Sequence, residues 1–189
     1  MPRPSSSQFT RQAVETVVIV ALAGIVHEIW RAGVISPTAV SWLVVGLALA
    51  KTAFFFAENL QHILLATAHE IPYHRFLGLM GVNMAQITMS FALDFFLIEA
   101  AEEGSLSGFA AGLGEPRILF DCFFYSVLNF TFFGFGDITP QSIPAKIVTL
   151  MEVTLAFFTV IFLLSDFISL KDSLRRSAAG THRPDRPAA

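Results

Sequence analysis

One stretch limits what this chain can become. Tyr125 to Pro140 reads Tyr-Ser-Val-Leu-Asn-Phe-Thr-Phe-Phe-Gly-Phe-Gly-Asp-Ile-Thr-Pro. An apolar run of helical length ends in Gly134-Phe135-Gly136-Asp137, turns through Ile138-Thr139-Pro140, and gives way to another long apolar segment. Paired glycines and an acid between two hydrophobic segments point to a loop at membrane depth. Such non-helical backbone is tolerated only inside protein or around a water-filled path.

The remaining composition fits a membrane setting. Of 189 residues, 54% are hydrophobic, 20 are phenylalanine and only 14% are charged, with a mean hydropathy of +0.63. Soluble domains carry about a quarter charged residues. A membrane span needs about 20 mainly apolar residues, so the length allows four or five spans and little else. The net charge of −3 says less about partners than the location of the charges does. The single cysteine, Cys122, excludes an intrachain disulfide.

In chain order, residues 1–12 are polar and predict a disordered tail. The first apolar segment runs from about Ala13 to Trp30. Ala21-Leu22-Ala23 weakly imitates a signal-peptidase site, but Glu15 and His27-Glu28 favour a retained helix. Residues 31–38 form a turn. The second segment extends from about Ala39 to Ala57 around Lys51 and continues as a helix until Pro72 ends it. The third covers about Leu77 to Ile98, interrupted by Asp94, before an acidic, glycine-rich connection from Glu99 to Arg117. Ile118 to Thr131 is apolar for only about 14 residues, too short to cross a bilayer and suited to a re-entrant helix. The last segment is apolar from Ile143 to about Leu170 apart from Lys146, Glu152 and Asp166, and residues 171–189 predict a second disordered tail.

The basic residues set the topology. With four spans both termini share a side, and placing them inside puts Arg3, Arg11, Arg75, Lys171, Arg175, Arg176, Arg183 and Arg186 in the cytoplasm. Only Arg31, Arg117 and Lys146 then lie outside, the arrangement the positive-inside rule favours.

A loop reading Gly-Phe-Gly can adopt positive backbone dihedrals at its glycines. Such alternation turns successive carbonyls toward one axis, forming oxygen rings that replace a cation's hydration shell. The preceding short helix adds the partial negative charge of its C-terminal end. One chain supplies one wall, so a ring implies several copies in closed cyclic symmetry.

Residues 125–140, with the apolar segments on either side, resemble the pore domain of potassium channels. That family reads outer helix, pore helix, Thr-Val-Gly-Tyr-Gly-Asp filter and inner helix. Thr131 matches the first of the two threonines before the filter, and Gly134, Phe135, Gly136 and Asp137 match Gly-Tyr-Gly-Asp. The resemblance covers about residues 78–170. It implies a homotetramer with its fourfold axis through the filter, segments three and four as outer and inner helices, and permeant potassium, with sodium a second option. Carbonyls of Phe132, Phe133, Gly134, Phe135 and Gly136 would line the path, while Thr131 and Asp137 would brace the loop.

The chain also departs from the family. The innermost filter threonine, whose hydroxyl lines an ion site, is replaced by Phe132, and the following valine by Phe133. Two outcomes stay open. The Phe132 rings narrow or dry the path, or they tuck behind the loop and leave only backbone oxygens facing ions. Leu128 stands where some members carry a glutamate that pairs with the filter aspartate, so Asp137 needs another partner, with Thr139, a backbone amide or water as candidates. Ala156 stands near the usual hinge glycine, which does not support a glycine-hinged gate.

Intramembrane charges default to functional candidates. Lys51 and Glu152 each lie about 12 residues from the outer end of their segment, which at 1.5 Å per residue puts them at one depth. The bland reading is a structural ion pair of Lys51 with Asp94 or Glu152. The sharper one has Glu152 facing an ion-filled cavity and attracting cations. Glu58, His62, His69 and His74, with Glu70, form a weaker candidate set for pH or metal sensing at the inner surface, although ordinary interfacial polarity explains them as well. His69-Glu70-Ile71-Pro72-Tyr73-His74 is one residue too long for His-Glu-x-x-His, and Pro72 breaks the helix that motif needs. No segment has the arginine spacing of a voltage sensor. Asn129-Phe130-Thr131 matches the glycosylation pattern only by chance if it lies in a pore helix.

The sequence therefore predicts an all-α integral protein of the cell membrane, with four spans and a re-entrant pore helix between spans three and four. Residues 13–76 form an accessory helical pair and 77–170 a pore domain. The expected activity is passive cation transport, most readily of potassium, with a weakly selective pore or a non-conducting scaffold as alternatives. Expected partners are further copies of the chain and lipid. No enzyme activity, cofactor or nucleic-acid binding is expected.

Overall fold

The computed structural model describes residues 5–67, 73–110, 112–134 and 136–180, with side chains for 10–61, 78–110, 112–134 and 136–164. In order come α1 (Ser5–Arg31), α2 (Pro37–Thr67), α3 (Tyr73–Ala101), β1 (Leu106–Ser107), α4 (Glu115–Phe130), β2 (Thr139–Pro140) and α5 (Ile143–Gly180). Four helices contain stretches long and apolar enough to cross a membrane, at Thr10–Arg31, Pro37–Gln61, Gly78–Ala101 and Ile143–Leu164. The 16 residues of α4 reach about 24 Å at 1.5 Å per residue, short of a hydrocarbon core of about 30 Å.

The bundle is built on α3. It packs against α1, α2 and α4, while α5 packs chiefly on α2 and also touches α3 and α4. Phe55, Phe91, Phe95, Ile98, Tyr125 and Leu155 are buried at its centre, with the Phe95 and Tyr125 rings edge-on at 4.9 Å. Between helices in lipid the hydrophobic drive is weak, so close packing and polar contacts hold them together. One contact is a buried chain in which Asn83 donates to Asn59 Oδ1 and Asn59 Nδ2 donates to Thr159 Oγ1 at 2.8 Å, linking α3, α2 and α5. By contrast α1 leaves Val14, Val17, Val18 and Ile25 exposed, as suits a peripheral helix with an apolar coat.

Several boundaries differ from the sequence expectation. Residues 5–12 are helical, not a disordered tail. The polar start prolongs a helix already nucleated by the apolar run, aided by the Arg11–Glu15 ion pair one turn apart at 2.7 Å. Likewise α5 continues to Gly180, where Leu174, Arg175, Arg176, Ala178 and Ala179 are good helix formers. Residues 181–189 lie outside the described residues.

The acidic connection has an internal order that its composition did not reveal. Glu99 is buried at the end of α3 and accepts from the backbone N–H groups of Gly104 at 2.9 Å and Leu106 at 2.7 Å. That fold-back delivers β1 to β2 in an antiparallel pair, Leu106 opposite Pro140 and Ser107 opposite Thr139. The chain is otherwise helical in its described elements, so this two-residue ladder is the departure from an all-α expectation.

Candidate functional site

The loop from Thr131 to Asp137 begins where α4 is closed by backbone geometry. Phe132 has φ +57, its N–H donates to Asn129 O at 3.2 Å, and the N–H of Phe133 reaches back to Leu128 O at 3.1 Å. This pair of bonds is a Schellman closure with Phe132 in the left-handed position usually taken by glycine. Thr131 turns its hydroxyl onto its own helix, donating to Val127 O at 2.7 Å. Gly134 then takes φ +87. Thr131, Phe132, Phe133, Gly134, Gly136 and Asp137 are all exposed, Phe133 at 85%. Phe135 lies outside the described residues.

The loop's return leg is fixed from two sides. A Cβ added to Gly136 would stand 3.1 Å from Leu128 Cδ1, so the leucine in place of a pore-helix glutamate packs onto the glycine. On the other side, Gly108 (φ +99) runs so close to Asp137 that a Cβ would lie 2.0 Å from its carbonyl oxygen. Ile138 is buried, and Thr139 Oγ1 is engaged by Ser107 Oγ at 2.6 Å and Gln141 Nε2 at 2.9 Å. Thr139 is thus committed to the strand pair. Between α4, the loop and the connection lies a cavity of about 260 Å³, bordered by Arg117, Asp121, Tyr125, Leu128 and Asp137.

Glu152 is turned away from any open surface. It is fully buried, meeting the Ser126 hydroxyl through one carboxyl oxygen and accepting from Asn129 Nδ2 at 3.1 Å through the other. The expectation of a cavity-facing cation attractor is corrected here: the acid braces α4 from behind. On α5 the exposed positions among the described side chains are Ile143, Lys146, Leu150, Thr154, Phe157, Phe158, Ile161 and Leu164, a face at helical spacing away from Glu152 that is apolar apart from Lys146 and Thr154.

Lys51 and Asp94 are brought together, with Lys51 Nζ 2.6 and 2.7 Å from the two carboxylate oxygens. Glu152 is not part of that pair. Glu58 is buried and meets Arg11 at 3.4 Å, so α1 and α2 share an ion pair where the sequence offered a sensor. The His62 and His74 side chains and all of His69 and Glu70 lie outside the described residues. Among the described residues no cluster of three or more His, Cys, Asp or Glu could hold a metal ion. His27 packs between Trp30 and Phe96, with centroids at 5.7 and 5.6 Å.

Sequence reasoning passed over Ser126, Asn129 and Gly108. The first two carried a readable signal: two amide- or hydroxyl-bearing residues three apart on an apolar helix share a face and need buried partners. For Gly108 nothing separated it from its neighbouring glycines.

Residues 88–171 match the model of a family described as ion channel. The match is to less than half of the chain, and it is a likeness to that family over this segment. It spans the later part of α3, α4, the loop and most of α5, so the matched segment contains the loop and the residues that brace it. With four helices fit to cross a bilayer, the chain is a multi-pass membrane protein. No curated protein and no solved structure matches the chain.

Proposed function

We propose that the protein is a passive cation channel, most readily of potassium, in which four copies surround a path lined by carbonyls of residues 132–136. The observation that carries this reading is the placement of an exposed loop with positive dihedrals at Phe132 and Gly134 directly after a helix too short to span. The C-terminal end of α4 directs partial negative charge at the loop, which favours cations. In the single chain the loop is exposed, and the largely apolar exposed face of α5 suits contact with further copies or lipid. In this reading α4 is a pore helix, α3 and α5 are outer and inner helices, both termini are cytoplasmic, and α1 and α2 flank the pore.

A weakly selective cation pore is the second reading, favoured by Phe132. Its side chain replaces a hydroxyl, and it takes a positive φ of +57 where the sequence placed such dihedrals at the glycines. Liposome flux under opposed potassium and sodium gradients tests both. A reversal potential following potassium supports the first, indifference to the two ions supports the second, and absence of flux from a stable tetramer refutes both.

A further inference from the structure

The hydrogen-bond inventory around Glu152 fixes where a proton can sit. Ser126 Oγ contacts one oxygen of Glu152 and also lies 2.8 Å from the carbonyl oxygen of Thr88 on α3. A carbonyl only accepts, and a serine hydroxyl has one proton to give. If Ser126 donates to Thr88, its contact with Glu152 needs a proton from the carboxyl. If Ser126 donates to an ionised Glu152, Ser126 Oγ and Thr88 O face each other at 2.8 Å with no proton between them.

The surroundings favour the first arrangement. Glu152 has no exposed surface, and an unpaired charge there would be costly. The groups facing it are Asp94 from α3, Tyr125 and Asn129 from α4, and none is a cation. Lys51 from α2 is held by both oxygens of Asp94. Asn129 supplies one neutral donor to the second oxygen, which a carboxylic acid accepts as readily as a carboxylate does.

We propose that Glu152 is held as a neutral acid whose proton starts a directed chain, Glu152 to Ser126 to the Thr88 carbonyl, joining α5, α4 and α3. It is a positioning residue, and its functional consequence rests on the channel reading. Alkaline loss of the proton turns the Ser126 hydroxyl toward Glu152, releases Thr88 and loosens α4, whose end carries the loop.

Infrared spectroscopy of the protein in lipid tests the proton without requiring conduction. A protonated-carboxyl band is expected at neutral pH that persists in Asp94→Asn, disappears in Glu152→Gln and shifts in Ser126→Ala, which keeps the acid. Absence of the band from wild type overturns the proposal whether or not any variant folds, and its persistence in Glu152→Gln does the same. Liposome flux forms the second arm. It should fall severalfold from neutral to alkaline pH in wild type and stay level in Glu152→Gln, whose amide can still donate to Ser126. An unchanged alkaline fall in Glu152→Gln refutes the switch. Absence of flux at every pH removes the channel reading and the switch with it, while the infrared result still decides the proton.

Discussion

Gly108 and Asp137, 29 positions apart in the chain, approach so closely that a methyl group on the first would fall 2.0 Å from the carbonyl oxygen of the second. The connection after α3 is therefore a clamp on the end of the loop as well as a tether. Its geometry depends on the buried Glu99 that accepts from Gly104 and Leu106, and on the strand pair that follows.

Gly108→Ala should therefore destabilise the protein well beyond the backbone strain of about 1–2 kcal/mol for a left-handed residue, because backbone at Asp137 must move. Gly112→Ala is the control, since Gly112 also has a positive φ (+75) but open space around its Cβ position. Thermal unfolding in detergent should rank Gly108→Ala clearly below Gly112→Ala. Equal melting temperatures would show that the close approach to Asp137 has no energetic weight.

The Lys51–Asp94 pair joins α2 to α3 with one partner 14% and the other 4% exposed at the side chain. Removing one member of a buried pair leaves the other charge uncompensated, at a cost of about 3–5 kcal/mol, whereas replacing both with apolar groups is often neutral. Lys51→Met should destabilise strongly, and adding Asp94→Leu should recover most of the loss. Denaturant titration in mixed micelles measures it. Losses that simply add in the double variant would refute a coupled pair.

These contacts mark what the sequence could and could not disclose. The four long helices were legible because apolar runs of membrane length have few alternatives in lipid, and α4 because its run is too short to be a span. The loop was legible from Gly134 and Gly136. The orientation of Glu152 was not, since one charge in an apolar helix fixes depth but not face, and its partners Ser126 and Asn129 lie 26 and 23 positions away. The order within the connection was hidden for a related reason. Its acidic composition reads as solvated, while Glu99 binds backbone amides that any sequence possesses.

Cys122 offers a reading of how tightly α4 is enclosed. The thiol is fully buried; burial pushes its pKa up, and the nearby negative charges of Glu99 and Asp121 push it further in the same direction. Since the thiolate is the reactive form, the native protein should resist small maleimides at mildly alkaline pH and label fully once denatured. As the chain has one cysteine, mass spectrometry gives an unambiguous count. Rapid labelling of the native protein would place the thiol outside the α3–α4 contact.

Phe132 is the described non-glycine residue with a positive φ, and it sits at the helix closure where glycine is the usual occupant. Left-handed backbone costs a side-chain-bearing residue about 1–2 kcal/mol, while glycine brings an entropic penalty of about 0.5–1 kcal/mol from the unfolded chain. Phe132 is 47% exposed, so removing its ring forfeits only part of the burial of a core phenylalanine. Phe132→Gly should therefore be neutral to stabilising, by up to about 1 kcal/mol, while Phe132→Ala, which keeps the strain and loses the ring, should be less stable than wild type. Thermal unfolding of the three proteins gives the order directly, and alanine matching or exceeding glycine would show that the dihedral does not burden this position. In the channel reading the same pair separates ring from backbone. Both variants raise flux if the ring obstructs the path, and only the glycine variant alters potassium-to-sodium preference if the left-handed carbonyl sets an ion site.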